Sequence, residues 1–295
     1  MLNKDIAPIE HATREYHAYP GAQYALPTDD PECQRLLLQH NCLKRLFENR
    51  ILLAPVALGP GDTVLDIGTG PGLWLLDIAQ SVDPGVHMVG VDIESRLFPI
   101  PPPKNTEFQV QSVTSLPSHW TDTFTLVHQR LLMFALQIPE WPQALREIYR
   151  VLRPGGWVQL AESFPAFEGE YPEKPCTMKL FSLYRCLTRD RNLFIDCALH
   201  ISEMLKETGF VDIHAEERPL LMGKWAGTEG VENAITVMGV FRGIKTPVLN
   251  AGGYGMVSTE SEYDTLLEGM QKEWDEIPGT KKEFVVCWGR KPENH

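Results

Sequence analysis

Short apolar runs alternate with amphipathic stretches through the middle of the chain. The apolar runs predict strands at 63–67, 86–91, 108–110, 124–127 and 157–161. Apolar residues at helical spacing predict helices at 73–80 and 141–152. Strands that alternate with helices are typical of a parallel, doubly wound α/β sheet. We therefore predict that residues 59–163 form the α/β core of the protein.

The flanking segments follow other patterns. Residues 1–30 are rich in aromatic residues and proline and predict an irregular arm, before a helix that begins at Asp29 and ends at Leu58–Gly61. We predict a lid of arm and helix at 1–58 and a mostly helical cap at 164–198. The remainder, 199–295, completes the core and inserts a substrate-pocket segment. It is expected to hold a helix at 200–208, a strand at 210–215, a mixed glycine-rich stretch at 219–260, a helix at 261–276 and a strand at 283–288.

Charge and cysteine content exclude several functional classes. The 295 residues include 27 basic and 39 acidic side chains, a net charge of −12 that disfavours nucleic acids and anionic membranes as partners. No apolar run approaches the roughly 18 residues of a membrane helix, and the first residues lack a signal-peptide core. Six scattered cysteines without a CxxC pair favour reduced thiols over disulfides or a metal site. We expect a cytoplasmic protein, either a monomer or a homodimer.

The strongest local signal is a glycine loop between the first strand and the next helix. Gly68-Thr69-Gly70-Pro71-Gly72 follows an apolar strand. Glycines allow unusual backbone angles and close approach to a ligand, and the helix start beyond them offers free N–H groups. Asp92 lies 24 residues after Gly68, at the end of the second strand. A carboxylate there can accept hydrogen bonds from both ribose hydroxyls of a nucleoside.

Charge and spacing distinguish between nucleoside cofactors. A dinucleotide fingerprint needs a third glycine where Leu73 stands, and no Gly-Lys-Ser/Thr of a P-loop follows. Asp66 precedes the loop, where an acid would repel a pyrophosphate but would attract the ammonium and sulfonium of S-adenosylmethionine. The loop therefore predicts S-adenosylmethionine as the cofactor, with S-adenosylhomocysteine as its product.

Several motifs in this order resemble class I S-adenosylmethionine-dependent methyltransferases over residues 60–162. They read LDIGTGPGLW, GVDI and REIYRVLRPGGWVQLAE. Two outer segments, YHAYPGAQYALPTDDPECQRLLLQH and LVHQRLLMFAL, resemble the fungal LaeA-like methyltransferases of secondary metabolism. The resemblance implies a Rossmann-like fold with a seven-stranded, mostly parallel sheet and a reversed hairpin at its end.

The glycine loop and the resemblance together predict the cofactor contacts. The residues expected to bind the cofactor are Asp66, Gly68, Thr69, Gly70, Gly72, Asp92, Ile93, Gln111, Ser112, His128 and Tyr24. The chain also departs from the family pattern at three positions. Ser112, Thr125 and Gln159 stand where the family usually has acids.

Candidates for catalysis lie at the carboxyl ends of strands, where parallel sheets bind ligands. His128 is a candidate general base, with a structural histidine as the alternative, and Glu162 is a second catalytic candidate. Arg130 either anchors an acidic substrate or pins its loop.

Aromatic side chains in the arm and the cap are candidates for the substrate site. Tyr16, His17, Tyr19 and Tyr24 either close over the site as a lid or pack on the first helix. In the cap, the residues predicted either to line a substrate pocket or to belong to the core are Met178, Phe181 and Tyr184, with Trp225 on the same wall.

Three functions fit these observations. The first is methyl transfer to a small-molecule acceptor, with no nucleic-acid or membrane partner. The second is a LaeA-like regulator that joins a protein complex, which would place the chain in the nucleus. The third is a cyclase that binds S-adenosylmethionine without transferring the methyl group.

Overall fold

One seven-stranded sheet organises the chain. The computed structural model describes residues 7–16, 19–165 and 169–293. Within these ranges the strands are β1 (Thr63–Ile67), β2 (His87–Asp92), β3 (Thr106–Val110), β4 (Phe124–Arg130), β5 (Leu152–Ser163), β6 (Val211–Leu221) and β7 (Lys281–Arg290). Their order is β3-β2-β1-β4-β5-β7-β6. Strands β1 to β5 pair in parallel, and β7 is antiparallel to both of its neighbours. The predicted fold class is confirmed.

Eight α-helices flank this sheet in the described ranges. They are α1 (Asp30–Leu46), α2 (Leu73–Ser81), α3 (Glu140–Val151), α4 (Pro175–Asp190), α5 (Ile201–Thr208), α6 (Gly227–Gly243), α7 (Lys245–Asn250) and α8 (Glu260–Glu276). Helices α1, α4, α6 and α8 pack on one another in the pairs α1–α6, α4–α8 and α6–α8. In the part of the chain that is described, no helix has both the length and the apolar run needed to cross a bilayer.

The first helix is shorter than the sequence pattern predicts. It begins as expected, because the carboxylate of Asp29 accepts a hydrogen bond from the backbone N–H of Glu32 at 3.1 Å. It ends at Leu46 rather than near residue 58, because Glu48 and Asn49 take positive φ angles of 58° and 61°. Ile51 therefore lies outside the helix, and its apolar character reflects tertiary packing instead.

Gln159 supports the irregular segment that follows α1. Its Oε1 accepts hydrogen bonds from the backbone N–H groups of Leu53 at 2.7 Å and Ala54 at 3.1 Å, and its Nε2 donates to the carbonyl of Ile51 at 3.0 Å. A carboxylate has no donor for this last bond. A glutamine at this buried position, where the family usually has an acid, therefore satisfies both the donors and the acceptor of the neighbouring backbone.

Helix α6 is the main element that the sequence pattern missed. The glycine-rich stretch 219–260 was expected to be mixed, but it contains the 17-residue helix α6. Its glycines allow close packing rather than forming turns. A β-carbon at Gly239 would collide with Cδ of Arg35 on α1, and one at Gly243 would lie 2.9 Å from Cδ2 of Leu26. These contacts bring α1 and the preceding arm against α6.

Candidate active site

A cavity of about 520 Å³ opens at the carboxyl ends of β1, β2 and β4. This volume lies in the range of roughly 300–1,000 Å³ typical of small-molecule sites. The glycine loop lines one end of the cavity, and residues of the arm, α1, α4, α6 and α8 line the rest. The cavity therefore extends from the expected cofactor position into a space enclosed by helices.

The glycine loop has the conformation that its residues predict. Gly68, Gly70 and Gly72 have φ angles of 63°, 51° and 73°, in the left-handed region that favours glycine. The N–H of Gly70 donates to Oδ2 of Asp92 at 2.8 Å. A β-carbon at Gly70 would meet no atom within 4 Å, so this part of the loop faces open space. The loop leaves room for a ligand to approach its backbone.

Asp92 lines the cavity at the end of β2. Its Oδ1 accepts from the N–H of Glu94 at 3.1 Å, which fixes the orientation of the carboxylate. Burial raises the pKa of Asp92 to about 6, although the backbone N–H groups act in the opposite direction. The remaining lone pairs of this carboxylate suit the hydroxyls of a ribose.

Other predicted cofactor contacts lie on the same wall. Gln111 is placed by a hydrogen bond from its N–H to the carbonyl of Asp92 at 3.0 Å, and Ser112 Oγ is hydrogen-bonded to Oγ1 of Thr114 at 2.8 Å. Both residues offer polar side chains at the edge where an adenine would lie. The predicted cofactor residues that line the cavity are Gly68, Thr69, Gly70, Asp92, Ile93, Gln111, Ser112 and Tyr24.

His128 lies behind the cavity wall, and this placement corrects its expected contact with the reacting groups. Its Nδ1 donates to Oδ1 of Asp66 at 2.7 Å, and its ring stacks on Trp74 with centroids 3.7 Å apart. Burial lowers the pKa of His128, so the imidazole is neutral. Asp66 is also buried, and its second oxygen accepts from the hydroxyl of Thr69 at 2.6 Å. His128 and Asp66 therefore hold the glycine loop from behind.

Glu162 is likewise buried, outside the residues that line the cavity. Its Oε1 accepts from the N–H of Leu132 at 2.7 Å, and burial raises its pKa to about 8. Leu132 does line the cavity, and its Cδ2 lies against Gly68, where an added β-carbon would be 2.6 Å away. The structure therefore places Glu162 against the loop after β4, which its carboxyl group positions, and not among the cavity-lining residues where the catalytic interpretation would need it.

The aromatic arm divides between two environments. Tyr19 and Tyr24 line the cavity, whereas the hydroxyl of Tyr16 donates to the carbonyl of Gly243 at 2.7 Å and faces α6 instead. His17 lies outside the described residues. Among the described tyrosines of the arm, only Tyr19 and Tyr24 therefore lie where a lid over the cavity would need them.

The predicted substrate residues divide in the same way. Arg130, Phe181 and Tyr184 line the cavity. Met178 and Trp225 do not, which corrects their expected place in the pocket. The sulfur of Met178 accepts from the N–H of Tyr171 at 3.4 Å, and Nε1 of Trp225 donates to the carbonyl of Met222 at 2.8 Å. Gly72 is also outside the lining residues, since it forms the N-terminal cap of α2.

The far end of the cavity is aromatic. Phe181 stacks on Phe241 with ring centroids 5.8 Å apart, and Phe134 meets Tyr184 edge to face at 5.4 Å. The hydroxyl of Tyr184 is buried and has no hydrogen-bond partner among the described residues. The sequence pattern missed Phe134, Phe241 and the cavity-lining Trp274, which are separated widely along the chain. No local signal marks them, because Phe134 lies in the loop after β4, Phe241 on α6 and Trp274 on α8, and only the tertiary packing of these segments brings them together.

Two arginines on the cavity wall differ in their partners. Arg35 is buried and forms a two-pronged ion pair with Glu32, through Nε at 3.0 Å and Nη2 at 2.6 Å. Arg130 donates from Nη1 to Nδ1 of His40 at 3.1 Å, and no carboxylate forms an ion pair with it in the described ranges. Arg35 therefore has a carboxylate in direct contact, although its Nη1 is buried without a partner among the described residues, whereas Asp66 and Asp77 act on Arg130 without contacting it.

Comparison with known proteins gives consistent matches. The methyltransferase domain family matches residues 64–156. The N-methyltransferase sirN of Leptosphaeria maculans is 31% identical over 287 residues, covering 95% of this chain and 99% of that protein. The N-methyltransferase gliN of Aspergillus fumigatus is 29% identical over 287 residues, covering 91% and 96%. The similarity to these fungal proteins thus extends over nearly the whole chain, including the helices that close the cavity.

A solved structure shares the fold. The phosphoethanolamine N-methyltransferase 2 of Haemonchus contortus, in complex with S-adenosyl-L-methionine, aligns with a TM-score of 0.50 at 19% identity. The alignment covers 88% of this chain and 52% of that one, so this chain spans about half the length of the nematode protein. At this level of identity, the match shows that the two proteins share the fold of the sheet and its flanking helices.

Proposed function

Since this chain belongs to the class I S-adenosylmethionine-dependent methyltransferases and acts on a small-molecule acceptor, we propose that the acceptor is apolar and aromatic and is methylated on nitrogen. The aromatic end of the cavity, beyond the glycine loop, carries the first part of this proposal. Phe181, Tyr184 and Phe241 present ring faces and edges there, and such surfaces pack well against a planar apolar molecule.

The nitrogen assignment rests on the relatives. Both sirN and gliN are named N-methyltransferases, and each aligns over more than nine-tenths of this chain. A nitrogen with a free lone pair can attack without prior deprotonation and can lose its proton after the C–N bond has formed. This chemistry does not require a base in contact with the nitrogen, which agrees with the buried positions of His128 and Glu162.

The residues that the motifs single out would hold the cofactor. S-adenosylmethionine, when bound, supplies a methyl group on a sulfonium, and the acceptor takes this group as the C–S bond breaks. Asp92 would receive the ribose hydroxyls and Gln111 and Ser112 would face the adenine, while the glycine loop leaves its backbone open at Gly70. The enclosing helices hold donor and acceptor in attack geometry and exclude water, which is the main source of rate in such transfers.

The two other candidate functions are less favoured. A regulator acting only in a protein complex does not require an aromatic cavity adjoining the cofactor site. A cyclase requires the cavity but not the methyl transfer for which sirN and gliN are named. The mass of the product distinguishes these functions, since transfer adds one methyl group and cyclisation leaves the mass unchanged.

The test uses methyl-labelled S-adenosylmethionine. The purified protein is offered the small-molecule extract of its source organism and, separately, the protein fraction. Asp92→Ala serves as the blank, and Glu207→Ala, an exposed acid on α5, is the matched control that should retain activity. We expect label in a small molecule, on nitrogen, with the wild type and the control only.

Other outcomes would contradict parts of the proposal. Label confined to the protein fraction would support the regulatory alternative. Label on oxygen or carbon would leave the transferase assignment intact and would refute the choice of nitrogen. Tight cofactor binding with an unlabelled, rearranged product would favour the cyclase.

A further inference from the structure

Arg130 occupies a position on the cavity wall where the glycine loop begins. It is the last residue of β4, and the residue before it, Gln129, pairs with Ile67 of β1. Gly68 follows Ile67, so Arg130 and Gly68 each lie one residue beyond the last pair of the two strands. Arg130 lines the cavity at this point. Arg130 therefore lies where β4 meets the glycine loop, on the wall of the same cavity that Asp92 lines.

The contacts of Arg130 orient its side chain without supplying a counter-charge. Nη1 donates to Nδ1 of His40 at 3.1 Å, and Nε2 of His40 donates to Oδ2 of Asp77 at 3.0 Å. Lys44 also donates to this oxygen, at 2.7 Å. Burial and the nearby charge of Arg130 lower the pKa of His40, so its ring is neutral and can accept at Nδ1 while donating at Nε2.

Arg130 thus has no carboxylate in direct contact. Burial lowers its pKa, Asp66 and Asp77 act in the opposite direction without contacting it, and none of the described residues forms an ion pair with it. Arg35 shows the contrast on the same cavity, because Glu32 accepts from two of its nitrogens. A partly buried guanidinium whose N–H groups contact no carboxylate favours the entry of one, since its planar fork matches two carboxylate oxygens.

We propose that Arg130 binds the α-carboxylate of the cofactor and that His40 positions it for this contact. The inference rests on the cofactor site described above. Asp92 and the residues near Ser112 account for the ribose and the adenine, and the carboxylate is the acidic group that this nucleoside brings into the cavity. An acidic group on the methyl acceptor is the other source of the same chemistry.

The test compares two ligands that differ in the amino-acid part. S-adenosylhomocysteine has the α-carboxylate, whereas 5′-methylthioadenosine lacks it and retains the adenine and ribose. Isothermal titration of each ligand against the wild type, Arg130→Gln and Arg130→Lys requires no acceptor, so the result is independent of the transfer reaction. We expect Arg130→Gln to weaken S-adenosylhomocysteine about tenfold or more, the effect typical of a lost charge-assisted pair. The affinity for 5′-methylthioadenosine should change less than about twofold.

Two further variants exclude a general loss of structure. Ser112→Ala, on the adenine side, should weaken both ligands to the same extent. His40→Ala should weaken S-adenosylhomocysteine selectively but less than Arg130→Gln, because it removes the orientation and keeps the charge. If Arg130→Gln does not fold, Arg130→Lys and His40→Ala provide the same selective comparison.

Two results would overturn the proposal. An equal loss of affinity for both ligands would give Arg130 a structural role. Unchanged binding of both ligands, together with a raised KM for the labelled acceptor, would assign the carboxylate to the acceptor. The titrations do not depend on methyl transfer, so a negative labelling experiment would not change the relative affinities for the two ligands. The proposal for Arg130 and the proposed function are therefore tested independently.

Discussion

Nδ1 of His128 donates a 2.7 Å hydrogen bond to Oδ1 of Asp66, and both side chains are almost completely buried. The other oxygen of Asp66 accepts from Thr69, which lines the cavity. The histidine at the end of β4 is therefore connected to the glycine loop through one carboxylate. This relationship gives His128 a positioning role and leads to a first prediction.

We expect His128→Ala to weaken the glycine loop rather than the chemical step. The variant loses the stacking on Trp74 and leaves Asp66 short of one partner in a buried place, at a cost of about 1–3 kcal/mol in the free energy of unfolding. The affinity for S-adenosylhomocysteine should fall with it. Thermal unfolding and calorimetric titration measure both quantities. Full stability and affinity with reduced turnover would instead support the general-base interpretation.

Cofactor affinity should depend on pH through Asp92. The pKa of its carboxyl group, ordinarily 3.8, is raised to about 6 by burial. Only the ionised form accepts from both ribose hydroxyls, so the Kd for S-adenosylhomocysteine should rise as the pH falls below about 6, approaching tenfold per pH unit. Asp92→Asn should bind weakly at every pH and lack this dependence. A flat profile for the wild type would contradict the ribose contact.

The raised pKa of Asp92 also affects the free energy of unfolding of the unliganded protein, which should fall as the pH rises. Because the folded-state pKa of Asp92 is raised, the unliganded protein binds this proton more tightly than the unfolded chain does. The contribution of Asp92 to the free energy of unfolding is therefore present at low pH and is lost as the pH rises through about 6. Bound cofactor offsets this loss at neutral pH, so its stabilising effect on Tm should be larger at pH 7 than at pH 5.

Glu162 should make stability fall between weakly acidic and weakly alkaline pH. Burial raises its pKa from 4.5 to about 8, so the folded protein keeps this proton at neutral pH while the unfolded chain loses it, and the stabilising contribution falls between these two values. Glu162→Gln keeps an acceptor for the N–H of Leu132 and cannot ionise, so its Tm should vary less than that of the wild type between about pH 5 and pH 8. Glu162→Ala, which leaves this N–H without its partner, should cost about 1–3 kcal/mol at neutral pH. Parallel curves for the wild type and Glu162→Gln would refute this assignment.

Tyr184→Phe should separate stability from acceptor binding. The hydroxyl is buried without a partner among the described residues, so its removal should leave the Tm unchanged or raise it slightly. If the acceptor accepts or donates a hydrogen bond there, its KM should rise about tenfold while the affinity for S-adenosylhomocysteine stays the same. Phe181→Leu is the matched control, since it reduces aromatic contact without changing any polar group. A lower Tm for Tyr184→Phe would indicate a partner for the hydroxyl within the protein.

Local interactions explain why much of the cofactor site could be predicted from the sequence. The strand at Thr63–Ile67 has the predicted bounds, and the glycines that follow it adopt positive φ angles, which depend on the glycine residues themselves. The topology of a parallel sheet then brings Asp92 beside this loop, because neighbouring parallel strands end at the same edge. Backbone conformation and strand order thus account for this half of the cavity.

The acceptor half depends on packing that no local pattern records. His128 and Arg130 lie two residues apart on β4, yet His128 is enclosed behind the wall and Arg130 lines the cavity. Trp74 of α2 stacks on His128, whereas Arg130 contacts His40 of α1 and stays partly exposed. In the sequence, the glycines of α6 are typical of loops. In the structure, Arg35 packs against α6 at Gly239, where any β-carbon would collide with its side chain. The aromatic end joins side chains from distant helices. Burial of these side chains depends on how the helices meet, so only the tertiary structure decides which of them reach the acceptor.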